Sequence, residues 1–256
     1  MIEVHQFPCL QDNYGFLVHD ESSGETATID TPEPARILQE AEKRGWRITQ
    51  IWNTHHHADH AGGNLDLKEK TGARITGPAA EATRIPGIDL AVKEGDFATL
   101  GTASARILDV PGHTAGHIAY VFEDERRAFV GDTMFAMGCG RLFEGTAETM
   151  WNSLSKLMRL APDTMIYCAH EYTAANARFA LTMEPKNAAL VSRARDVAQK
   201  RERGEPTVPT RLDLELATNP FLRASSVELQ RSVGMTGAAL DQIFGRARKM
   251  KDEFKG

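Results

Sequence analysis

The chain has 256 residues, of which 41% are hydrophobic and 25% are charged, a balance typical of a soluble globular protein. No apolar run approaches the ~20 residues of a membrane-spanning helix, and the first residues lack the basic and apolar regions of a signal peptide. Three cysteines do not make a disulfide framework, so we expect a protein of the reducing cytoplasm. A net charge of −5, without a basic run that includes aromatic residues, argues against nucleic acid as a partner.

Up to about residue 172 the sequence predicts short strands separated by glycine and proline, with occasional helices. A helix is predicted over Pro34–Arg44, where Gly45 supplies a common C-terminal stop. Residues 48–53 are short, β-rich and uncharged, which predicts a buried strand. Another helix is predicted over residues 147–160, ended by Pro162.

After residue 172 the pattern becomes helical. Apolar residues recur at helical spacing between positions 190 and 198, and residues 204–209 interrupt the pattern. Two further helices are predicted over residues 225–233 and 236–254, with Thr236 as the N-cap of the second. We therefore predict an α/β domain over residues 1–172, followed by a helical domain over residues 173–256.

Charge is distributed unevenly between these two parts. Residues 1–172 hold 15 basic and 25 acidic residues, a net charge of −10, whereas residues 173–256 hold 15 and 10, a net charge of +5. A basic helical part suits a small anionic ligand, although a solvated helical surface explains the same charges.

The most informative segment, residues 54–64, reads Thr-His-His-His-Ala-Asp-His-Ala-Gly-Gly-Asn. His55, His57, Asp59 and His60 offer the imidazole and carboxylate donors that divalent transition metals favour. His55 and His57 are two residues apart, so an extended backbone points them to the same side. One tetrahedral zinc ion uses at most four such groups, and this surplus of donors indicates two metal ions. A solvated polar turn with chance metal affinity is the alternative.

Further donors follow three other predicted strands. His113, Asp132 and His170 each stand at the end of a short strand-like run. Each alone is more typical of a surface, capping or turn residue. Because four strand ends each carry a donor, we expect one common site. Its five imidazoles and two carboxylates fit two metal ions bridged by one carboxylate.

On these residues the chain resembles the metallo-β-lactamase superfamily and, within it, glyoxalase II, the hydroxyacylglutathione hydrolases. The histidine motif alone indicates the superfamily, whereas the last four of the following segments indicate glyoxalase II. The resemblance runs through residues 11–14, 54–60, 111–114, 131–133, 138–141, 170–173 and 219–223 and the basic C-terminal end.

The resemblance implies a metallo-β-lactamase-like αββα sandwich over residues 1–172, which holds the catalytic metals, and a C-terminal helical substrate-binding domain over residues 173–256. It implies two divalent metal ions per chain, zinc first, with iron or manganese as alternatives. Asp59 and Asp132 are the implied catalytic residues. The implied ligands are His55, His57 and His113 for the first ion, Asp59, His60 and His170 for the second, and Asp132 as the bridge.

Several neighbouring residues acquire expected roles. His56 is expected to be structural or to support a metal ligand from outside, and Asp30 either orients a ligand histidine or is a turn aspartate. Cys139 is expected to be a small buried packing residue. The family also differs from this chain at two positions: Phe143 stands where a tyrosine is frequent, and Ala58 where a bulkier residue is frequent. The residues implied to bind the glutathione moiety are Arg141, Tyr172, Arg248 and Lys251.

The implied activity is hydrolysis of the thioester S-D-lactoylglutathione to D-lactate and glutathione by a metal-bridging hydroxide, the second step of methylglyoxal detoxification. We expect a cytoplasmic monomer whose ligand is a small glutathione thioester, with no membrane or nucleic-acid partner. The alternative is a glutathione persulfide dioxygenase with a single iron held by two histidines and a carboxylate. Asp59, His60 and His170, with the basic helical tail, favour the hydrolase. A non-catalytic or nuclease-like relative is disfavoured by the complete ligand set and the acidic charge.

Overall fold

The computed structural model describes all 256 residues of the chain. They form two compact units, a first unit of residues 1–109 and 114–131 and a second unit of residues 110–113 and 132–256. None of the helices combines the length and the apolar character that crossing a bilayer requires. The division expected at residue 172 stays a prediction.

The first unit contains a mixed six-stranded sheet. Its strands are β1 Ile2–Cys9, β2 Asn13–Asp20, β3 Thr26–Ile29, β4 Ile48–Trp52, β5 Arg74–Pro78 and β6 Leu90–Val92. The strands lie in chain order, with antiparallel pairing from β1 to β3 and parallel pairing from β3 to β6. The parallel part contains the predicted strand that precedes the histidine motif. The carboxyl ends of these parallel strands therefore lie at one edge of the sheet, where open α/β sheets usually carry their ligand-binding sites.

Helices cover one face of this sheet. They are α1 Pro34–Arg44, α2 Ala58–Ala61 and α3 Asn64–Thr71. Ile37 of α1 and Leu67 of α3 pack with Leu17, Ile51 and Ile75 of the sheet in one buried cluster. The predicted bounds of α1 are confirmed, because proline occupies its first turn and the residue after it adopts a left-handed φ of 67°.

A second sheet of the first unit packs on the opposite face. It is antiparallel, in the order β10–β9–β8–β7, and its strands are β7 Phe97–Leu100, β8 Ala103–Asp109, β9 Ile118–Phe122 and β10 Arg127–Gly131. Trp52 of the first sheet stacks on Tyr120 and Phe122 of the second, with ring centroids 5.1 and 5.9 Å apart. Phe16 and Phe129 form a similar contact at 5.6 Å. Aromatic packing therefore joins the two sheets and fixes the end of β4.

The second unit is mainly helical. Its strands form a hairpin, β11 Met134–Phe135 with β12 Gly138–Cys139, and an antiparallel pair, β13 Met165–Cys168 with β14 Thr210–Arg211. Its helices are α4 Ala147–Leu157, α5 Thr173–Met183, α6 Ala188–Glu202, α7 Leu212–Thr218, α8 Val227–Ser232 and α9 Leu240–Glu253. Helix α5 packs on α6, and α4 packs on α9. Met137 of the hairpin lies in the core that α5 and α6 form.

Three predicted helices are shorter than the sequence indicated. Helix α4 ends at Leu157, and α8 begins only after Ser226, whose hydroxyl accepts a hydrogen bond from Leu229 N. The prediction that Thr236 caps the last helix is wrong, because α9 begins at Leu240. Gly237 has a φ of 79°, a left-handed conformation that a right-handed helix beginning at residue 236 cannot contain.

Candidate metal centre

The histidine loop, residues 53–61, leaves the carboxyl end of β4 and runs through α2. Its side chains form two donor pairs. His55 Nε2 lies 3.0 Å from His57 Nδ1, and Asp59 Oδ2 lies 3.5 Å from His60 Nε2. The rings of His55 and His60 are centred 4.0 Å apart, so the two pairs are neighbours. The loop thus brings its four predicted donors together, and each pair offers two ligand atoms to one cation.

A buried carboxylate orients two of these histidines. Asp30, at the end of β3, accepts hydrogen bonds from Thr54 N, Thr54 Oγ1 and His60 Nδ1, each at 2.8 Å. Thr54 Oγ1 also lies 3.0 Å from His55 Nδ1. An ionised carboxylate only accepts hydrogen bonds, so His60 carries its proton on Nδ1. The Thr54 hydroxyl donates its own proton to Asp30 and therefore accepts from Nδ1–H of His55. The lone pair of each ring is therefore on Nε2. Of the two roles considered for Asp30, the orienting contact is the one observed.

Other side chains hold the loop from its sides. Glu81, which is buried, accepts from His56 N at 2.8 Å and from His56 Nδ1 at 2.7 Å, and it also accepts from Gly116 N at 2.8 Å. This contact gives His56 the structural role expected of it. Asn13 Nδ2 donates to Asp59 Oδ2 at 3.1 Å and so restrains the more exposed member of the second donor pair.

In the second unit one carboxylate lies between two imidazoles. Asp132 Oδ2 is 3.3 Å from His113 Nε2, and Asp132 Oδ1 is 3.3 Å from His170 Nε2. All three side chains are buried. A carboxylate that turns one oxygen to each of two imidazoles is placed as a bridge between two cations would be.

The backbone after the hairpin sets the position of His113. His113 Nδ1 donates to Arg141 O at 2.9 Å, which leaves Nε2 facing the carboxylate. A Cβ at Gly140 would lie 2.1 Å from Asp132 O and 3.0 Å from His113 Nδ1. Position 140 therefore needs glycine, because the backbone passes too close to both residues for any side chain.

The residues expected to bind substrate lie in different environments. Tyr172 stacks on His170 with parallel rings 4.8 Å apart. The side chain of Arg141 is 69% exposed, and its Nε lies 3.9 Å from Asp252 Oδ1. Phe143, one of the two departures, is 61% exposed, and its ring is centred 5.1 Å from that of His113.

Lys251 lies in a group of cations. It donates to a backbone carbonyl, Ala175 O, at 3.0 Å. Burial, together with the charges of Arg248, Arg178 and Arg141, lowers the pKa of Lys251 to about 8. Like charges held this close favour an anionic ligand, because an anion relieves their repulsion.

The guanidinium of Arg248, by contrast, is buried and hydrogen-bonded to other groups of the protein. Arg248 is only 5% exposed, and its Nη1 donates to Cys139 O at 2.8 Å while its Nη2 donates to Asp252 Oδ1 at 2.9 Å. Its guanidinium carbon lies 5.0 Å from the centre of the Phe221 ring. The contacts of Arg248 are structural ones, and its part in binding substrate stays a prediction. Cys139 is buried as expected, and burial raises the pKa of its thiol to about 11.

Comparison with known proteins identifies the chain. Residues 21–170 match the model of the metallo-β-lactamase superfamily, and residues 171–254 match the model of the hydroxyacylglutathione hydrolase C-terminus. The hydroxyacylglutathione hydrolase of Hyphomonas neptunium is 57% identical over 254 residues, which cover 99% of each chain. That of Methylococcus capsulatus is 52% identical over 256 residues, which cover 100% of each chain. The chain belongs to the hydroxyacylglutathione hydrolase family.

The fold of this hydroxyacylglutathione hydrolase family member is shared more widely. The B3 metallo-β-lactamase BLEG-1 has a TM-score of 0.66 and 18% identity, and the match covers 86% of this chain and 100% of that one. ETHE1 from Myxococcus xanthus has a TM-score of 0.60 and 26% identity over 87% of this chain and 99% of that one. The predicted fold class, a metallo-β-lactamase-like sandwich followed by a helical domain, is confirmed, as is the predicted family.

Sequence reasoning missed two residues that hold the histidine loop. Thr54 precedes the first histidine, but nothing local indicates that its hydroxyl joins Asp30 to His55. Glu81 is 25 residues from His56 and lies in a short 3₁₀ turn, so no motif connects them. Both contacts depend on the folded sheet rather than on neighbouring sequence.

Proposed function

We propose that this chain hydrolyses hydroxyacylglutathione thioesters, with S-D-lactoylglutathione as the substrate and D-lactate and glutathione as the products, in the detoxification of methylglyoxal. The chain is a metal-dependent hydrolase by family. The observation that carries the proposal is Asp132, which turns one oxygen to His113 and the other to His170. Such a carboxylate suits a two-metal hydrolytic centre rather than a single-iron oxygenase.

The two donor sets fit two divalent metal ions. Zinc is the first choice, and iron and manganese are the alternatives. The Nδ1 atoms of His55, His60 and His113 are already hydrogen-bonded, as is usual for metal-binding histidines, which leaves their Nε2 atoms for a metal ion. When bound, two such ions lower the pKa of a water molecule and polarise a carbonyl oxygen. The proposed ligands are His55, His57 and His113 for one ion and Asp59, His60 and His170 for the other, with Asp132 shared between them.

The chain's three cysteines are unsuited to act as nucleophiles in the reaction. Burial raises the pKa of Cys9 to about 12, of Cys139 to about 11 and of Cys168 to about 12, so all three thiols are protonated at neutral pH. Hydrolysis of a thioester also needs little acid assistance, because a thiolate is a good leaving group. Water is therefore the proposed nucleophile, and Asp59 and Asp132 would contribute as ligands of the metal ions.

Glutathione carries two carboxylates, and the cations around Lys251 are the proposed partners for them. Arg141 is exposed, and its planar guanidinium can bind a carboxylate through two hydrogen bonds. Tyr172 stacks on His170, so it is the aromatic neighbour of the proposed second metal. We further propose a cytoplasmic location, since all three cysteines are free and buried, and a monomeric state. The curated relatives are named as hydrolases, which does not favour the dioxygenase alternative.

Elemental analysis and a thioester assay on the same purified protein test the proposal. We expect close to two metal ions per chain and hydrolysis of S-D-lactoylglutathione well above that of a small neutral thioester. Full activity with one equivalent of a single metal would refute the two-metal centre. Equal rates on both thioesters would refute the glutathione assignment.

A further inference from the structure

Side chains from outside the β11–β12 hairpin hold its backbone in place. Every residue from 135 to 139 has a backbone group that is hydrogen-bonded to a buried side chain from elsewhere in the second unit. Met137, at the turn, has a left-handed φ of 53°, which strains a residue other than glycine. The hairpin also has only four strand residues, so its own ladder supplies few hydrogen bonds. Its shape therefore depends on these side chains.

Four side chains, which we call the cradle, make these contacts: Asn176 of α5, Glu215 of α7, Asn219 directly after α7, and Arg248 of α9. The bonds are Asn219 Nδ2 to Phe135 O at 3.2 Å and to Gly138 O at 3.0 Å, Asn176 Nδ2 to Ala136 O at 3.1 Å, Met137 N to Glu215 Oε2 at 2.8 Å, and Arg248 Nη1 to Cys139 O at 2.8 Å. The three helices that supply the cradle are thus joined to one hairpin through its backbone.

The cradle is itself fixed by a buried ion pair. Glu215 is fully buried and pairs with Arg193 of α6, and Thr210 Oγ1 donates to its Oε1 at 2.7 Å. Its Oε2 accepts from Asn219 Nδ2 at 3.0 Å as well as from Met137 N. A buried charge is stable only when it is paired and hydrogen-bonded. Glu215 therefore has little freedom to move, and neither has the amide of Asn219.

Both ends of the hairpin lead to the candidate metal centre. Asp132 lies two residues before β11, and Arg141 lies two residues after β12. Arg141 O is the acceptor for His113 Nδ1, and Gly140 N donates to Thr133 O at 3.3 Å. A shift of the hairpin backbone would move the Asp132 carboxylate and the acceptor of His113 together.

We propose that the cradle is a positioning device for the metal centre, with Asn219 as its central positioning residue. The inference rests on the proposed function, because it concerns how Asp132 and His113 are presented to a metal ion. The helices after residue 172 then have a second role besides substrate binding: they hold the hairpin in the one shape that aligns these two ligands. This also assigns a task to the segment 219–223, which the proposed reaction does not otherwise use.

Asn219→Asp tests the proposal with little change of volume. The substitution replaces the donating amide with an oxygen that faces two carbonyls and the Glu215 carboxylate, while Oδ1 still accepts from Phe221 N. The matched control is Asn187→Ala. Asn187 makes the same kind of bond in the same unit, from Nδ2 to Ala217 O at 2.9 Å, and caps α6, but neither contact reaches the hairpin. Asn176→Ala removes only the bond to Ala136 O and serves if Asn219→Asp does not fold.

Two measurements avoid dependence on substrate. The first is zinc affinity, measured by competition with a chelator. The second is the NMR signal of the His113 ring N–H in metal-free protein labelled with ¹⁵N-histidine, which reports the hydrogen bond of His113 Nδ1. This signal is assigned by its loss in His113→Gln. We expect Asn219→Asp to bind at least one of the two zinc equivalents about ten- to a hundredfold more weakly, as loss of outer-shell support usually does. We also expect its His113 ring proton to exchange faster with water. Asn176→Ala should show both effects more weakly.

The control separates positioning from stability. Asn187→Ala should lose thermal stability but keep the zinc affinity and the protected ring proton of the parent. Parent-like zinc affinity and a protected ring proton in Asn219→Asp would overturn the proposal, as would equal losses in Asn187→Ala. Failure of the parent to hydrolyse the thioester would instead refute the proposed function, and these two measurements would still decide the role of the cradle.

Discussion

Asp30→Asn is the substitution whose effect the structure defines most closely. Asp30 is buried and accepts three hydrogen bonds of 2.8 Å from Thr54 and His60. Asparagine keeps one oxygen for Thr54 N, but its NH₂ group then faces the Thr54 hydroxyl and His60 Nδ1–H, which are both donors. Two charge-assisted bonds are lost, each worth about 1.5–3 kcal/mol. The expected loss of unfolding free energy is therefore about 3–6 kcal/mol, a large share of the 5–15 kcal/mol typical of a protein.

Thermal denaturation of the metal-free protein measures this loss. For a chain of this size the expected fall in Tm is about 6–24 °C. Zinc affinity should fall as well, by about ten- to a hundredfold, because His60 loses the charge that orients it and raises its basicity.

Asp20→Asn is the matched control for this experiment. Asp20 is also a buried carboxylate of the first unit, and it accepts from Thr102 N at 2.9 Å and from Thr102 Oγ1 at 3.1 Å, far in sequence from any predicted ligand. It should lower the Tm without changing zinc affinity. If Asp30→Asn binds zinc like the parent, or if Asp20→Asn loses zinc equally, Asp30 does not orient a metal ligand.

Three further outcomes are expected. Asp132→Asn should reduce metal content and thioesterase activity together, since a neutral amide bridges two cations poorly; two tightly bound metals in this variant would contradict the bridging role. The KM for a glutathione thioester should rise as the pH passes above about 8, where Lys251 loses its charge. Lys251→Arg should abolish that rise because arginine stays protonated. The KM for a neutral thioester is the control and should not show the rise. Arg248→Ala should lower the Tm and the kcat on both thioesters, because it removes the donor to Cys139 O; a change confined to KM for the glutathione thioester would instead support the binding role expected from the sequence.

The sequence indicated the grouping of donors in the histidine loop because that information is local. The histidine loop follows one strand, and spacing alone separates His55 and His57 from His56, which the structure bonds to Glu81. Helix α1 was predicted to the residue, since a proline begins it and Gly45 ends it in a left-handed conformation. Short-range signals of this kind do not depend on the rest of the fold.

What the sequence could not indicate are contacts between distant segments. The bond from Arg248 to Cys139 joins residues 109 positions apart, and Asn219 and Phe135 are separated by 84. The sequence predicted that Arg248 binds an anion, and no neighbouring residue indicated that the folded chain also buries its guanidinium against a carbonyl. Burial of a charged side chain depends on tertiary packing, which neither charge nor periodicity reveals.

The path of the chain between its two units limits how this protein can be divided. The first unit ends its first stretch at residue 109, the second unit takes residues 110–113, and the first resumes for residues 114–131. A gene fragment that begins at residue 132 would encode Asp132 and His170 but not His113, so one of the two imidazoles beside that carboxylate would be missing. The second unit is therefore not a continuous segment of the chain that one recombination event can transfer. Evolution or engineering can exchange it intact only together with the four-residue insertion that carries His113.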